Sequence, residues 1–131
     1  YAHTPEAIKH VLQTYTYKSF KPSIVFGCGG ERDKGKRKKM GIIAQKYAEK
    51  VYLTDDNPRN ENPDLIRKSI KKYCPKGIEV SSRRKAIHYA ISQLNKKDIL
   101  IIAGKGHEKY QIIKNKKRKF DDSQVAKNYI K

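Results

Sequence analysis

The sequence predicts a Rossmann-like α/β domain: a mainly parallel sheet with helices on both faces. Three observations carry that expectation. Short apolar, β-branched runs alternate with stretches whose apolar residues recur at helical spacing. The strand-like runs end in loops rich in Gly, Asp, Asn or Pro. No long linker, repeat or low-complexity block interrupts the alternation, so the crossovers are expected to be short and right-handed. A chain of 131 residues is read as one domain, residues 1–131.

The elements follow in order. Thr4-Pro5-Glu6 reads as a helix start, with a capping hydroxyl, a proline in the first turn and an acid near the positive end of the dipole. Ile8, Val11, Leu12 and Tyr15 then share a face. Ser23–Phe26 is a short buried strand running into Gly27-Cys28-Gly29-Gly30. Met40, Ile43, Ala44, Tyr47 and Ala48 mark a second helix, and residues 51–54 a second strand. Leu65, Ile66, Ile70 and Tyr73 mark a third helix, stopped by Pro75 and Gly77. Residues 77–80 form a weak strand, and Ser82 caps a fourth helix carrying Ile87, Ala90, Ile91 and Leu94. Residues 98–103 are the clearest buried strand. Beyond them, residues 110–113 and 118–120 are expected to form a C-terminal antiparallel hairpin around a basic turn. A last helix carries Val125, Ala126, Tyr129 and Ile130 behind Asp121 and Asp122.

Composition bounds the partners. With 37% hydrophobic and 34% charged residues, the core has to be economical. The balance of 31 Lys+Arg against 13 Asp+Glu, net +18, fits either a nucleic-acid partner or a solvated basic surface of an AT-rich genome's composition. Lysines scattered over helix faces and turns favour the second. No apolar run approaches the roughly 18–20 residues of a membrane span, and no signal peptide is visible. A start at Tyr1, on a helix-start motif, suggests a piece of something longer. Cys28 and Cys74 lack metal-ligand spacing and read as free, buried thiols.

Ligands of open parallel sheets bind beyond the carboxyl ends of the strands, and three unusual loops fall there. In the first, Gly30-x4-Gly35-Lys36 nearly spells a phosphate loop, but Arg37 stands where Ser or Thr would hold magnesium. What survives is a glycine-rich loop whose Arg32, Lys34, Lys36 and Arg37 favour an anion, Arg32 being the sharper candidate because a guanidinium binds carboxylates bidentately. A surface charge run is the plain alternative. In the second loop, Asn57 and Arg59 flank Pro58 and supply donors suited to a carboxylate, unless Asp56 or Asn57 simply shapes a turn. In the third, Gly104 and Gly106 permit close backbone approach, and Glu108 suits a substrate ammonium. His107 reads as a base or, more plainly, as a structural histidine; His10 and His88 have no evident chemical partners. No Cys, Ser and His pairing suggests nucleophilic catalysis.

Taken together, Tyr1-Ala2-His3-Thr4-Pro5, the run from Val25 to Arg37, Thr54-Asp55-Asp56-Asn57-Pro58-Arg59 and Ala103-Gly104-Lys105-Gly106-His107-Glu108 resemble the C-terminal domain of the Mur ligase family. Phe120-Asp121-Asp122 with Val125-Ala126 resembles the family's ending. The resemblance is to the branch that adds meso-diaminopimelate to UDP-MurNAc-L-Ala-D-Glu in peptidoglycan synthesis, whose Asp-Asn-Pro-Arg signature stands complete as Asp56-Asn57-Pro58-Arg59. It implies that Arg32, Asn57 and Arg59 hold the distal carboxylate of diaminopimelate, and that Gly104 and Glu108 take its ammonium. It implies that His3 meets ATP when domains close, and that ATP and Mg2+ are held mainly by a central domain outside this chain. It further implies a cytoplasmic enzyme whose catalytic residues lie elsewhere, so that this chain by itself is inactive and holds no metal. Ser82 departs from the family, where an acid is commoner. Two other readings are a basic nucleic-acid-binding α/β module, which lacks a recognition-helix motif, and a homologue kept as a structural or regulatory subunit. The complete substrate motif argues against the latter.

Overall fold

The computed structural model describes residues 4–30, 34–103 and 110–114. The described residues form α1 (Pro5–Thr14), β1 (Ser23–Phe26), α2 (Lys34–Tyr47), β2 (Val51–Leu53), α3 (Pro63–Lys71), β3 (Ile78–Glu79), α4 (Arg83–Ser92), β4 (Ile99–Ala103) and β5 (Tyr110–Lys114). The strands make one sheet in the order β3-β2-β1-β4-β5. β1 to β4 are parallel, and β5 runs antiparallel to β4 from Ile99↔Lys114 to Ala103↔Tyr110. The pairing of β5 with β4 was not expected from the sequence; the hairpin expected between residues 110–113 and 118–120 has its second strand outside the described residues. The last expected helix, with Val125, Ala126, Tyr129 and Ile130, also lies outside them.

Side chains alternate across the pleat, and both faces are covered. Ile24 and Phe26 of β1, Val51 and Leu53 of β2, and Ile101 and Ala103 of β4 pack with α1, α2 and α3. Val25, Tyr52, Leu100 and Ile102 point the other way, onto Ala86, Ile87 and Ala90 of α4. Burial on both faces is why these strands read as continuous apolar runs rather than as alternating ones.

The helices begin where capping chemistry places them. The Thr4 hydroxyl accepts from the Ala7 N–H at 3.1 Å, and Ser82 accepts from Lys85 N–H at 3.3 Å. Asn62, followed by Pro63, opens α3 by accepting from the Asp64 N–H at 2.8 Å. The stripe expected on α3 is shifted: Ile66, Arg67 and Ile70 are buried, whereas Leu65 is 61% exposed. α3 lies close against α2, since a Cβ at Gly41 would come within 2.7 Å of the Ile70 carbonyl oxygen.

Cys28 and Cys74 are free and buried, as expected from the sequence. Burial pushes the Cys28 thiol up to about 12; Lys36 and Arg37 oppose this and Asp56 reinforces it. Burial likewise raises Cys74, against Lys76. A thiol raised above its ordinary value of 9.0 stays protonated in the folded chain while the unfolded chain ionises. The stability it contributes is complete below pH 9.0 and is lost as pH rises from there toward about 12. At pH 8 a disulfide reagent is expected to label both cysteines only as fast as the protein opens. Labelling of the native chain at the rate of a free thiol would contradict this burial.

Candidate functional site

The strand order turns back at β1, which has β2 on one side and β4 on the other. In such sheets the crevice for ligands opens at the carboxyl ends of the strands flanking that reversal. The loop after β1 and the loop after β2 meet at this edge. The Thr54 N–H donates to the Phe26 carbonyl at 3.0 Å, and the Gly30 N–H donates to the Asn57 carbonyl at 2.9 Å. The Arg59 guanidinium then donates to the Gly30 carbonyl at 2.7 Å. The approach is close enough that a Cβ at Gly30 would overlap the Pro58 carbonyl, and one at Gly27 the Thr54 carbonyl. Asn57 and Arg59 hold positive φ, 37° and 53°. Asparagine visits that region readily, while an arginine there is held by its surroundings. Both side chains are exposed, and Asp56 and Pro58 are half-buried.

The same edge is braced from below. The Thr54 hydroxyl and the Asp55 N–H both donate to the Ser81 carbonyl, at 3.1 and 3.3 Å, tying in the loop after β3. Arg83 at the start of α4 donates to the Ala103 carbonyl at the end of β4. Arg67, 6% exposed, donates to Asp55, to Asp64 and, at 3.3 Å, to Glu79. Burial by itself pulls this guanidinium's pKa down; Asp55, Asp64 and Glu79 outweigh burial and raise it, so Arg67 stays charged.

The structure corrects the reading of Arg37. That residue is 4% exposed and faces inward. It donates to both Glu61 oxygens, at 2.8 and 3.1 Å, and to the Gly29 carbonyl at 3.2 Å. Its counter-ion is internal, so it does not join Lys34 and Lys36 as a donor to a bound anion. A residue committed to Glu61 where a phosphate loop needs a hydroxyl does not fit a magnesium–nucleotide site, and no step through ATP is assigned to it. Lys34 is exposed and Lys36 half-buried. Arg32, Gly104, His107, Glu108 and His3 lie outside the described residues. His10 and His88 are exposed on α1 and α4, away from the loop pair.

Residues 1–106 match the family model described as Mur ligase, glutamate ligase domain. The chain belongs to the Mur ligase family. It is 49% identical to the UDP-N-acetylmuramoyl-L-alanyl-D-glutamate--2,6-diaminopimelate ligase of Rickettsia rickettsii, an alignment covering 100% of this chain and 28% of the relative. It is 48% identical to the ligase of the same name from Anaplasma marginale, over 99% of this chain and 28% of that one. A solved structure of a ligase of that name superposes with a TM-score of 0.73 at 37% identity, over 98% of this chain and 28% of the other. The chain thus spans little more than a quarter of the length of these Mur ligases.

Of the residues singled out from the sequence, the structure brings Asn57 and Arg59 together with Gly30. Two residues that matter to the edge went unnoticed, Glu61 and Arg67, and Asp55 was named only as part of the motif, without its tie to Arg67. Helical spacing could have exposed Arg37, which precedes Met40, Gly41 and Ala44 by three, four and seven positions on the buried stripe of α2. Replacing Arg37 with Ala strands Glu61 and is expected to cost about 3 kcal/mol in urea unfolding, whereas Lys34→Ala stays within about 0.5 kcal/mol. Equal, small losses for both variants would return Arg37 to the solvated charge run.

Proposed function

We propose that this chain is the amino-acid-binding domain of an ATP-dependent ligase that joins meso-diaminopimelate to UDP-MurNAc-L-Ala-D-Glu, a cytoplasmic step of peptidoglycan synthesis. The observation that carries the reading is the loop from Asp56 to Arg59, held against Gly30 with two exposed donor side chains at the sheet's ligand-binding edge. The relatives' names give 2,6-diaminopimelate as the amino acid they add.

In this reading Arg32, Asn57 and Arg59 take the distal carboxylate, with Asp56 and Pro58 shaping the turn, while Gly104 and Glu108 take the ammonium and His3 approaches ATP on domain closure. The domains that hold ATP and Mg2+ activate the D-glutamyl carboxylate as an acyl phosphate, and the amine of diaminopimelate attacks it to give the amide, ADP and phosphate. The chain's own residues bind and orient the nucleophile. Fixing the distal end sets the position of the reacting amine, converting an encounter into a positioned attack. Arg59 has two tasks here: one N–H steadies the Gly30 carbonyl, and the rest of the fork faces the substrate.

Lysine lacks one distal carboxylate, so its binding leaves guanidinium donors unpaired. Charge that the bound amino acid covers and leaves unpaired costs roughly 2–5 kcal/mol, or about 30-fold to several-thousand-fold in affinity. The ligase containing this domain is expected to prefer meso-diaminopimelate over lysine by such a factor. Arg59→Ala is expected to erode the preference and raise KM for diaminopimelate while leaving KM for ATP nearly unaltered. Wild-type discrimination in the Arg59→Ala enzyme would remove this loop from carboxylate recognition.

A further inference from the structure

At the opposite edge of the sheet the chain makes a device that the ligase reading does not use. Between α1 and β1, the Tyr17 N–H donates to the Phe20 carbonyl and the Phe20 N–H to the Tyr17 carbonyl, both at 2.9 Å. Such a mutually bonded antiparallel pair puts its two side chains on one side of the ribbon. Tyr17 is 68% and Phe20 55% exposed. Lys18 at the tip has φ 55°, a conformation that favours glycine, yet a lysine occupies it. Two aromatic rings thus protrude on a tight turn at a modest backbone cost.

Lysines surround the turn. Lys21 donates to the Lys46 carbonyl at 3.2 Å, the Lys50 carbonyl accepts from Ile24 N–H at 2.9 Å, and Lys76 donates to the Ala48 carbonyl. Lys18, Lys21, Lys46 and Lys50 are exposed, and Lys18 also sits over the Tyr17 ring at 5.4 Å. Burial and then the charge of Lys21 lower the pKa of Lys76, with Cys74 and then Glu49 opposing them. These residues precede β1, β2 and β3, so they gather at the amino ends of the strands, away from the loops at Gly30 and Asn57.

We propose that the Tyr17–Phe20 turn and its lysines form an interfacial anchor that docks this domain on an anionic lipid surface, with the two rings at headgroup depth. Aromatic rings with one polar rim suit that zone. Each lysine close to an anionic leaflet strengthens binding by about fivefold. Two features favour a bilayer over a nucleic acid. The aromatics stand exposed at the ends of a tight turn, whereas single strands are bound along a groove. Among the described residues the basic groups around it are lysines, compact point charges rather than the planar guanidinium forks that recognise phosphates bidentately.

The test uses the 131-residue chain and phosphatidylcholine vesicles with and without about one-third phosphatidylglycerol. Sedimentation with the anionic vesicles only, weakening with salt, is expected. Tyr17→Ser/Phe20→Ser is expected to weaken it at least about tenfold, and Lys18→Gln/Lys21→Gln by about 25-fold, with far-UV circular dichroism unchanged. A Phe20→Trp variant, in a chain that otherwise has no tryptophan, reports insertion directly through a blue shift on the anionic vesicles. Absence of sedimentation, undiminished sedimentation of the double serine variant, or an unshifted indole emission from the Phe20→Trp chain would each overturn the anchor. Quenching of that emission by oligo(dT), with no blue shift on the anionic vesicles, would overturn it in favour of a nucleic-acid surface.

Discussion

Gly30 has no side chain, and the loop after β2 occupies the space where one would be. Its N–H and carbonyl are both taken by that loop, through Asn57 and Arg59, and the Pro58 carbonyl lies where a Cβ would project. Gly27 repeats the arrangement one step nearer the strands, against Thr54. Two loops that would otherwise move separately are thereby one surface. The Pro58 carbonyl also accepts from the Glu61 N–H at 3.0 Å, and Glu61 in turn receives Arg37 from α2. From one glycine, contact runs through the turn to the helix beneath it. This lets Asn57 and Arg59 keep left-handed backbone conformations and still present their side chains outward.

Charge is sorted by depth around this arrangement. A chain of net +18 has few acids, and four of its 13, Asp55, Glu61, Asp64 and Glu79, are committed to two buried arginines, Arg37 and Arg67. Removing one partner of a buried pair leaves an uncompensated charge, so these pairs resist rearrangement even where their net stabilisation is modest. Most of the described lysines are exposed, and several lie over tyrosine rings: Lys9 and Lys46 over Tyr47, Lys38 and Lys72 over Tyr73. One pole of the sheet therefore carries a pre-shaped loop pair and the other a basic, aromatic tip.

Much of the fold was legible in the sequence because it rests on local signals. The caps at Thr4 and Ser82, the buried run at Ser23–Phe26 and the helical stripe through Met40 and Ala44 act over a few residues, and all appear as read. The pairing of β5 with β4 was not legible, since a strand's partner depends on contacts distant in sequence. Nor was the role of Arg37: in a run of basic residues it looks like surface, and only the position of Glu61, 24 residues on, makes it internal. For the site, the residue types of the Asp56–Arg59 loop were readable. The positive φ at Asn57 and Arg59 and the contact with Gly30 were not, because they arise from two loops meeting.

The central claim is that Gly30 shapes the Asn57–Arg59 surface through backbone contact. Amide NMR spectra of Gly30→Ala beside wild type test it most directly. The added Cβ is expected to push the loops apart, moving the amide signals of Asn57, Arg59 and Glu61 while those of Val25, Tyr52 and Ile101 in the sheet stay in place. Unmoved signals at Asn57 and Arg59 in a folded Gly30→Ala chain would show that the second loop holds its shape without the first, and would contradict the account.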